Sequence, residues 1–191
     1  MTIKDLLTHT SGLTYGFFAD DPVDVLYRKA EPHKTKNLAA LMDALGKLPL
    51  KYQPGERWNY SYSTDVLGRV IEIISGQPLD EYLEERIFNR LDMNDTGFQV
   101  RQSAVSRLAK IYTPDENDKL VHAGPEIHIA AGRRVHDFTR PTTFFSGGGG
   151  LAGTAGDYLC FAQMLLDGGQ KIITRETVDL MMQDNQPRPE T

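Results

Sequence analysis

Apolar residues recur along this chain mostly three and four positions apart, the spacing of one helix face, and seldom at every second position. Ile3, Leu6 and Leu7 mark a short face over residues 3–9, stopped by Ser11-Gly12. Asp20-Asp21 can cap a second helix with Pro22 in its first turn, running to about Lys29 before Pro32 breaks it. Asn37 caps residues 38–48, where positions 38, 41, 42, 45 and 48 form a stripe. Ser63 or Thr64 starts a helix through Val66, Leu67, Val70, Ile71, Ile73 and Ile74, ended by Gly76 and Pro78. That stripe is wide, so this helix is expected to be well buried. Residues 79–91 read as a charged amphipathic helix with Leu79, Tyr82, Leu83, Ile87 and Leu91 inward. Thr154 caps a helix to residue 166, with Asp157 three residues on as a short-acid capping box and Cys160, Phe161, Met164 and Leu165 on the inward stripe. Thr174 caps a last helix over residues 175–183, and residues 184–191 read as a frayed tail.

The helical period weakens between residues 96 and 145. Residues 110–112 and 119–121, separated by Pro114-Asp115-Glu116-Asn117-Asp118, read as a small hairpin. Gly124, Pro125, Gly132 and Pro141 punctuate residues 123–145, which are expected to be mostly irregular. With no set of buried strands, the pattern describes one mainly α unit over residues 1–191, with at most a short β-hairpin.

Composition narrows the function classes. Apolar residues make up 40% of the 191 positions and charged residues 25%, a globular balance. Twenty-six acidic against 21 basic side chains, a net charge of -5, give no support for nucleic-acid binding. The single cysteine, Cys160, excludes an internal disulfide framework and a cysteine-rich zinc site. No apolar run reaches the roughly 18 residues of a membrane span, and the first residues lack the apolar core of a signal peptide. The expected setting is therefore cytoplasmic, with no membrane partner.

Two places interrupt the periodic pattern with residues suited to chemistry. The first is Trp58-Asn59-Tyr60-Ser61-Tyr62-Ser63, just ahead of the wide-striped helix. A phenol held there meets the positive end of the helix dipole and can serve as a general base; otherwise these aromatics simply pack. The second is Ser146-Gly147-Gly148-Gly149-Gly150 ahead of the Thr154 helix. Such a run lets backbone approach a ligand closely, or forms a tight turn under a core helix. The histidines His9, His33, His122, His128 and His136 show no paired helical spacing for zinc; His128 and His136 with Asp137 form a loose cluster only. His9 is expected to hydrogen-bond to backbone at a helix end, and Cys160 to be a small buried hydrophobe.

Thr2-Ile3-Lys4-Asp5-Leu6-Leu7-Thr8-His9-Thr10-Ser11-Gly12-Leu13 resembles a signature stretch of the serine β-lactamase-like superfamily. That group includes class C β-lactamases, family VIII carboxylesterases and D-amino-acid-specific peptidases. Pro54-Gly55 followed by Trp58, Tyr60 and Ser61 resembles its Tyr-x-Asn motif, and Ser146 to Leu151 with the following helix resembles its Gly-Gly-x-Gly-Leu segment. Leu91, Met93 and Asp95-Thr96-Gly97-Phe98 also match, so order and spacing agree over nearly the whole chain.

The resemblance implies two-step acyl transfer through a serine, with no metal or organic cofactor. Tyr60 matches the catalytic tyrosine that shuttles the proton. Trp58, Tyr62, Ser146, Gly147, Gly148 and Gly149 would border the substrate, a small ester or amide. The family nucleophile lies in Ser-x-x-Lys, and no serine here has a lysine three residues later. Lys34-Thr35 lacks the glycine of the third motif, and His122-Ala123-Gly124 precedes the glycine run, out of the family's order. The chain is thus expected to be the helical half of an α/β fold, with most sheet strands missing, inactive by itself and self-associating through the face of Ile3, Leu6, Val66, Val70, Ile73 and Ile74. Tyr62 standing for the asparagine favours a carboxylesterase over a β-lactamase or D-peptidase. A non-catalytic binding domain is the reading of another class.

Overall fold

Helices α1 (Ile3–Leu7), α2 (Pro22–Ala30), α3 (Leu38–Leu45), α4 (Ser63–Ser75), α5 (Leu79–Leu83), α6 (Ala155–Leu166) and α7 (Arg175–Met181) carry the fold. The computed structural model describes all of the chain except residues 18–19, 124–127, 130–132, 135–136, 171 and 187–191, with backbone alone at 128–129 and 133–134. His128 and His136 of the loose cluster, and most of the tail from residue 184, thus lie outside the described side chains, while Asp137 is tied to Thr139 and Arg140.

The caps read from the sequence are in place. Asp21 accepts from the Val23 and Asp24 amides, Asn37 from Ala40, Thr154 from Asp157 and Thr174 from Thr177. A further capping box joins Thr2 and Asp5 at the start of α1. That helix stops two residues early because His9 takes a left-handed backbone, φ 55°. The stripe over residues 79–91 stays helical but changes pitch, from α5 into a π turn at Glu84–Phe88 and a 3-10 turn at Asn89–Leu91.

The hairpin forms one to two residues later than expected: β1 (Tyr112–Pro114) pairs antiparallel with β2 (Leu120–His122), Thr113 opposite Val121. Asp115 holds its turn by accepting from the Asn117 and Lys119 amides, with Asp118 at φ 59°. A second pair, β3 (His128–Ile129) with β4 (Arg133–Arg134), lies in the stretch expected to be irregular. Two residues per strand are too few for any period to register. The described chain is therefore mainly α with short antiparallel pairs.

Two apolar clusters form the core. Tyr15, Tyr27, Leu38, Leu41, Leu45, Tyr62, Leu79 and Phe98 make the first, where α3 and α5 pack against α4. Phe88, Leu91, Met93 and Met164 make the second, beneath α6.

Two burial expectations are corrected. In α4 the buried residues are Ser63, Asp65 and Gly68, while Ile73 and Ile74 are 65% and 80% exposed. A Cβ on Gly68 would lie 2.9 Å from Leu79 and 3.1 Å from Leu38, so close helix contact selects the small face, with Val66 and Ile71 at its margin and Ile73 and Ile74 outside. In α6, Cys160 is exposed; Met164 is the residue fully buried. The Asp157 carboxylate accepts from the Asp95 amide and the Thr96 hydroxyl, both at 2.8 Å, tying α6 to the loop after Leu91.

Candidate active site

Two segments, residues 9–15 and 51–62, are laced together by backbone. The Lys51 amide donates to the Gly12 carbonyl at 2.7 Å, the Gly55 amide to Thr10 at 2.8 Å and the Asn59 amide to His9 at 2.8 Å. The Asn59 side chain adds a bond to the Leu13 carbonyl at 2.7 Å. Gly12 is required here: at φ 82° a Cβ would sit 2.0 Å from the Tyr52 carbonyl oxygen. The Thr8-His9-Thr10-Ser11-Gly12-Leu13 and Pro54-Gly55 motifs, forty residues apart in sequence, thereby become one surface.

Tyr60 stands on that surface, 41% exposed. Its ring centroid lies 4.9 Å from His9, 5.2 Å from Tyr15 and 6.4 Å from Trp58, stacked with the last. Trp58 is 54% exposed and meets the His9 ring edge-on at 6.3 Å. Trp58 and Tyr60 are thus both accessible and adjacent. Tyr62 is not: it is 3% exposed, with the Tyr15 ring at 4.5 Å and the Tyr27 ring at 6.5 Å. Its place beside α4 turns it into the first apolar cluster, so it lines no surface.

The glycine run arrives over the same spot through Asp65, a buried carboxylate in the first turn of α4. Ser146 donates its hydroxyl to Asp65 Oδ1 at 2.5 Å, the Gly148 amide reaches the same oxygen at 3.3 Å, and Tyr15 OH reaches Oδ2 at 3.3 Å. A negative group at a helix N-terminus is favourably placed against the dipole. A Cβ on Gly147 would lie 2.1 Å from the Thr64 carbonyl oxygen, and one on Gly148 would lie 2.6 Å from Tyr15 OH. Gly147 and Gly148 are therefore glycines because backbone lies against α4, whereas Gly149 faces open space. Tyr15 bridges the two motifs: its hydroxyl meets the glycine run and its ring meets Tyr60.

Tyr15 is itself held by a charge network in the loop before α2. Buried Asp24 accepts from Thr14 Oγ1 at 2.6 Å and from Lys51 Nζ at 2.5 Å, and Lys51 also reaches Asp21 at 2.5 Å. The Lys51 bond brings the Asp21 carboxyl down to about 2. Burial disfavours the Lys51 cation, but its two carboxylate bonds outweigh that and its pKa is raised. The Tyr27 phenol is pushed up to about 12, first by burial and then by Asp24. Burial also lowers the basicity of His9.

His9 departs from the expected backbone-bonded role. Its Nδ1 lies 3.4 Å from Ser61 Oγ, at the end of a series of serine hydroxyls. Ser11, Ser61 and Ser63 have no exposed surface, and the Ser146 hydrogen is committed to Asp65, so none of these four offers a free nucleophile. Asp65, Tyr15 and His9 escaped the sequence reading as site components. Only the match of Asp65 to a helix first turn, two residues past Ser63, carried a signal. Two cavities, of about 820 and 650 Å³, lie elsewhere, between the α5 segment, Phe98 and the start of α6; neither is lined by Tyr60 or Trp58.

The chain matches the Beta-lactamase family model over residues 1–191. It is 40% identical over 188 residues to Protein Rv1367c of Mycobacterium tuberculosis, covering 95% of this chain and 44% of that protein. It is 29% identical over 190 residues to lovastatin esterase of Penicillium rubens, covering 97% of this chain and 44% of that one. Among solved structures, EstCE1, described as a hydrolase with promiscuous acyltransferase activity, superposes with a TM-score of 0.78 at 26% identity, covering 97% of this chain and 51% of that chain. The chain spans less than half the length of the curated relatives named here.

Proposed function

From this chain's membership of the β-lactamase family over all 191 residues, we propose that it provides the tyrosine-bearing part of a serine hydrolase of carboxylesterase type, acting on ester carbonyls through an acyl-enzyme. Tyr60 carries the reading. It is accessible, braced between His9 and Tyr15, and stands on the surface where the family's signature segments converge. In this role the phenol takes the proton from the attacking serine and returns it to the leaving group. Trp58, exposed beside it, borders the acyl group.

The burial of Tyr62 favours an ester over a β-lactam or peptide substrate. The position where the family motif carries an asparagine amide here turns a phenol into the core, leaving no side-chain amide to bind a substrate amide. Likeness to proteins named as esterases and hydrolases agrees with this. The chain contains no Ser-x-x-Lys, so by itself it forms no acyl-enzyme. A serine-directed phosphonate should leave the 191-residue chain unlabelled, and stoichiometric labelling at Ser11, Ser61 or Ser146 would refute that. In a longer protein that carries this chain together with a Ser-x-x-Lys segment, Tyr60→Phe should lower kcat/KM roughly a hundred- to ten-thousandfold on an ester such as p-nitrophenyl butyrate. A change under about threefold with the fold intact would make Tyr60 a packing residue, and turnover of a β-lactam or D-peptide in preference to esters would move the substrate class.

A further inference from the structure

Three buried hydroxyls run in series and end on His9. Ser11 Oγ lies 2.7 Å from Ser63 Oγ, Ser63 Oγ lies 2.8 Å from Ser61 Oγ, and Ser61 Oγ lies 3.4 Å from His9 Nδ1. Each hydroxyl brings one hydrogen, and the series can point in two senses. If Ser11 donates to Ser63, Ser63 to Ser61 and Ser61 to Nδ1, every hydrogen has an acceptor. In the opposite sense Nδ1–H donates inward, and the Ser11 hydrogen ends with no acceptor among the described residues. The Leu13 amide cannot supply one, because it is itself a donor to Ser11 Oγ at 3.2 Å. Ser11 has no exposed surface, so no bulk water relieves it. A stranded donor in such a place is strongly disfavoured.

The inner end also decides what the series is for. It stops at a backbone amide, which does not titrate, so it is not a route for carrying protons away. What it can do is hold a ring in one orientation and one protonation form. His9 sits at φ 55°, a left-handed conformation that histidine enters more readily than most side chains, so the backbone accommodates the imidazole. That ring lies 4.9 Å from Tyr60 at a tilt of 48° and meets Trp58 edge-on. Its lowered basicity, a result of burial, agrees with a neutral form.

We propose that the buried Ser11–Ser63–Ser61 series fixes His9 as the neutral tautomer with Nδ1 accepting and Nε2 carrying the hydrogen, and that the ring so held is a positioning residue for Tyr60. The tautomer assignment stands on hydrogen-bond geometry alone. The positioning role rests on Tyr60 being the proton shuttle.

The test uses the 191-residue chain with ¹⁵N-labelled histidine at about pH 8, above the ordinary histidine range. The His9 Nδ1 resonance should be that of an unprotonated ring nitrogen and Nε2 that of a protonated one. Ser61→Ala, or Ser63→Ala should the first fail to fold, should drive His9 towards a mixture of tautomers. An Nδ1–H form in the parent, or no change in either variant, overturns the assignment. For positioning, 3-fluorotyrosine is incorporated and the Tyr60 signal identified by its loss in Tyr60→Phe. His9→Asn keeps an acceptor and tolerates the left-handed backbone but removes the ring, and should shift and broaden that ¹⁹F signal. His9→Phe restores a ring and should recover most of it. An unmoved signal in His9→Asn, with thermal unfolding unchanged, overturns the positioning role. An unchanged rate in Tyr60→Phe of the longer enzyme would also overturn positioning, while the nitrogen spectra decide the tautomer on their own.

Discussion

Helices α3 and α6 are both apolar, yet they treat their leucines in opposite ways. In α3, Leu38, Leu41 and Leu45 are all buried, pressed against α4 and the Tyr62 ring. In α6, a helix half as long again, Met164 alone is buried, while Leu159 and Leu166 are 65% and 78% exposed. Leu180, Met181 and Met182 extend the exposed surface through and just past α7. The side chains are equivalent; the difference is the presence of neighbours. Around α3 the helix α4, Leu79 and the Tyr15, Tyr27 and Tyr62 rings enclose the leucines in one cluster. Against α6 the described chain packs a smaller cluster, Phe88, Leu91 and Met93 around Met164, and leaves the opposite face of the helix bare. The region that carries the candidate site is thus the one whose structure the chain completes by itself.

Five measurements sharpen or break that contrast, from the largest expected effect down. Lys51→Met should remove about 3–5 kcal/mol of unfolding free energy, because it leaves Asp24 buried and uncompensated. A loss below about 1 kcal/mol in urea titration would mean Asp24 finds water or another donor. Leu41→Ala, at a position with no exposure, should cost about 2–5 kcal/mol.

Acid should act on the site-bearing region in two steps. His9 has a folded pKa below its ordinary 6.5, so the unfolded chain binds more protons there. Its contribution is complete above 6.5 and declines as pH falls below that value. Asp21, brought down to about 2 from 3.8, loses its contribution between roughly those two values, weakened by salt because Asp21 is partly exposed. Thermal melts of the parent and His9→Asn from about pH 8 to about pH 2 check this: the first decline should vanish in the variant and the second should stay.

The smallest stability effect belongs to α6. Leu159→Ala should change unfolding free energy by no more than about 0.5 kcal/mol. We propose that this exposed apolar face makes the isolated chain self-associate. Light scattering over rising concentration should report it, with Leu159→Lys combined with Leu166→Lys lowering the apparent mass. A strictly monomeric parent that binds no hydrophobic dye would erase the contrast.

Local signals were readable wherever the causes are local. The caps at Asp21, Asn37, Thr154 and Thr174 are side-chain-to-backbone bonds within three residues, and all four were legible. So were the mainly α class, the β1–β2 hairpin and the matching of Tyr60, Trp58 and the glycine run to family motifs. The burial of α4 was misread because a stripe of Val, Leu and Ile says which face is apolar, not which face a neighbour will reach first. Cys160 was misplaced for the same reason.

Spacing along the chain thus determined helices and their starts, because each depends on residues within a turn or two of one another, while resemblance to a family motif singled out Tyr60. Tertiary structure alone decided that Tyr62 belongs to the core, that Gly147 and Gly148 are glycines to lie against α4, and that Asp65 joins Ser146 to Tyr15. It also decided that His9 meets Ser61 and Tyr60 across some fifty residues of chain. These are contacts between segments whose approach is set by close packing and by pairing of buried polar groups. Neither leaves a period in the sequence.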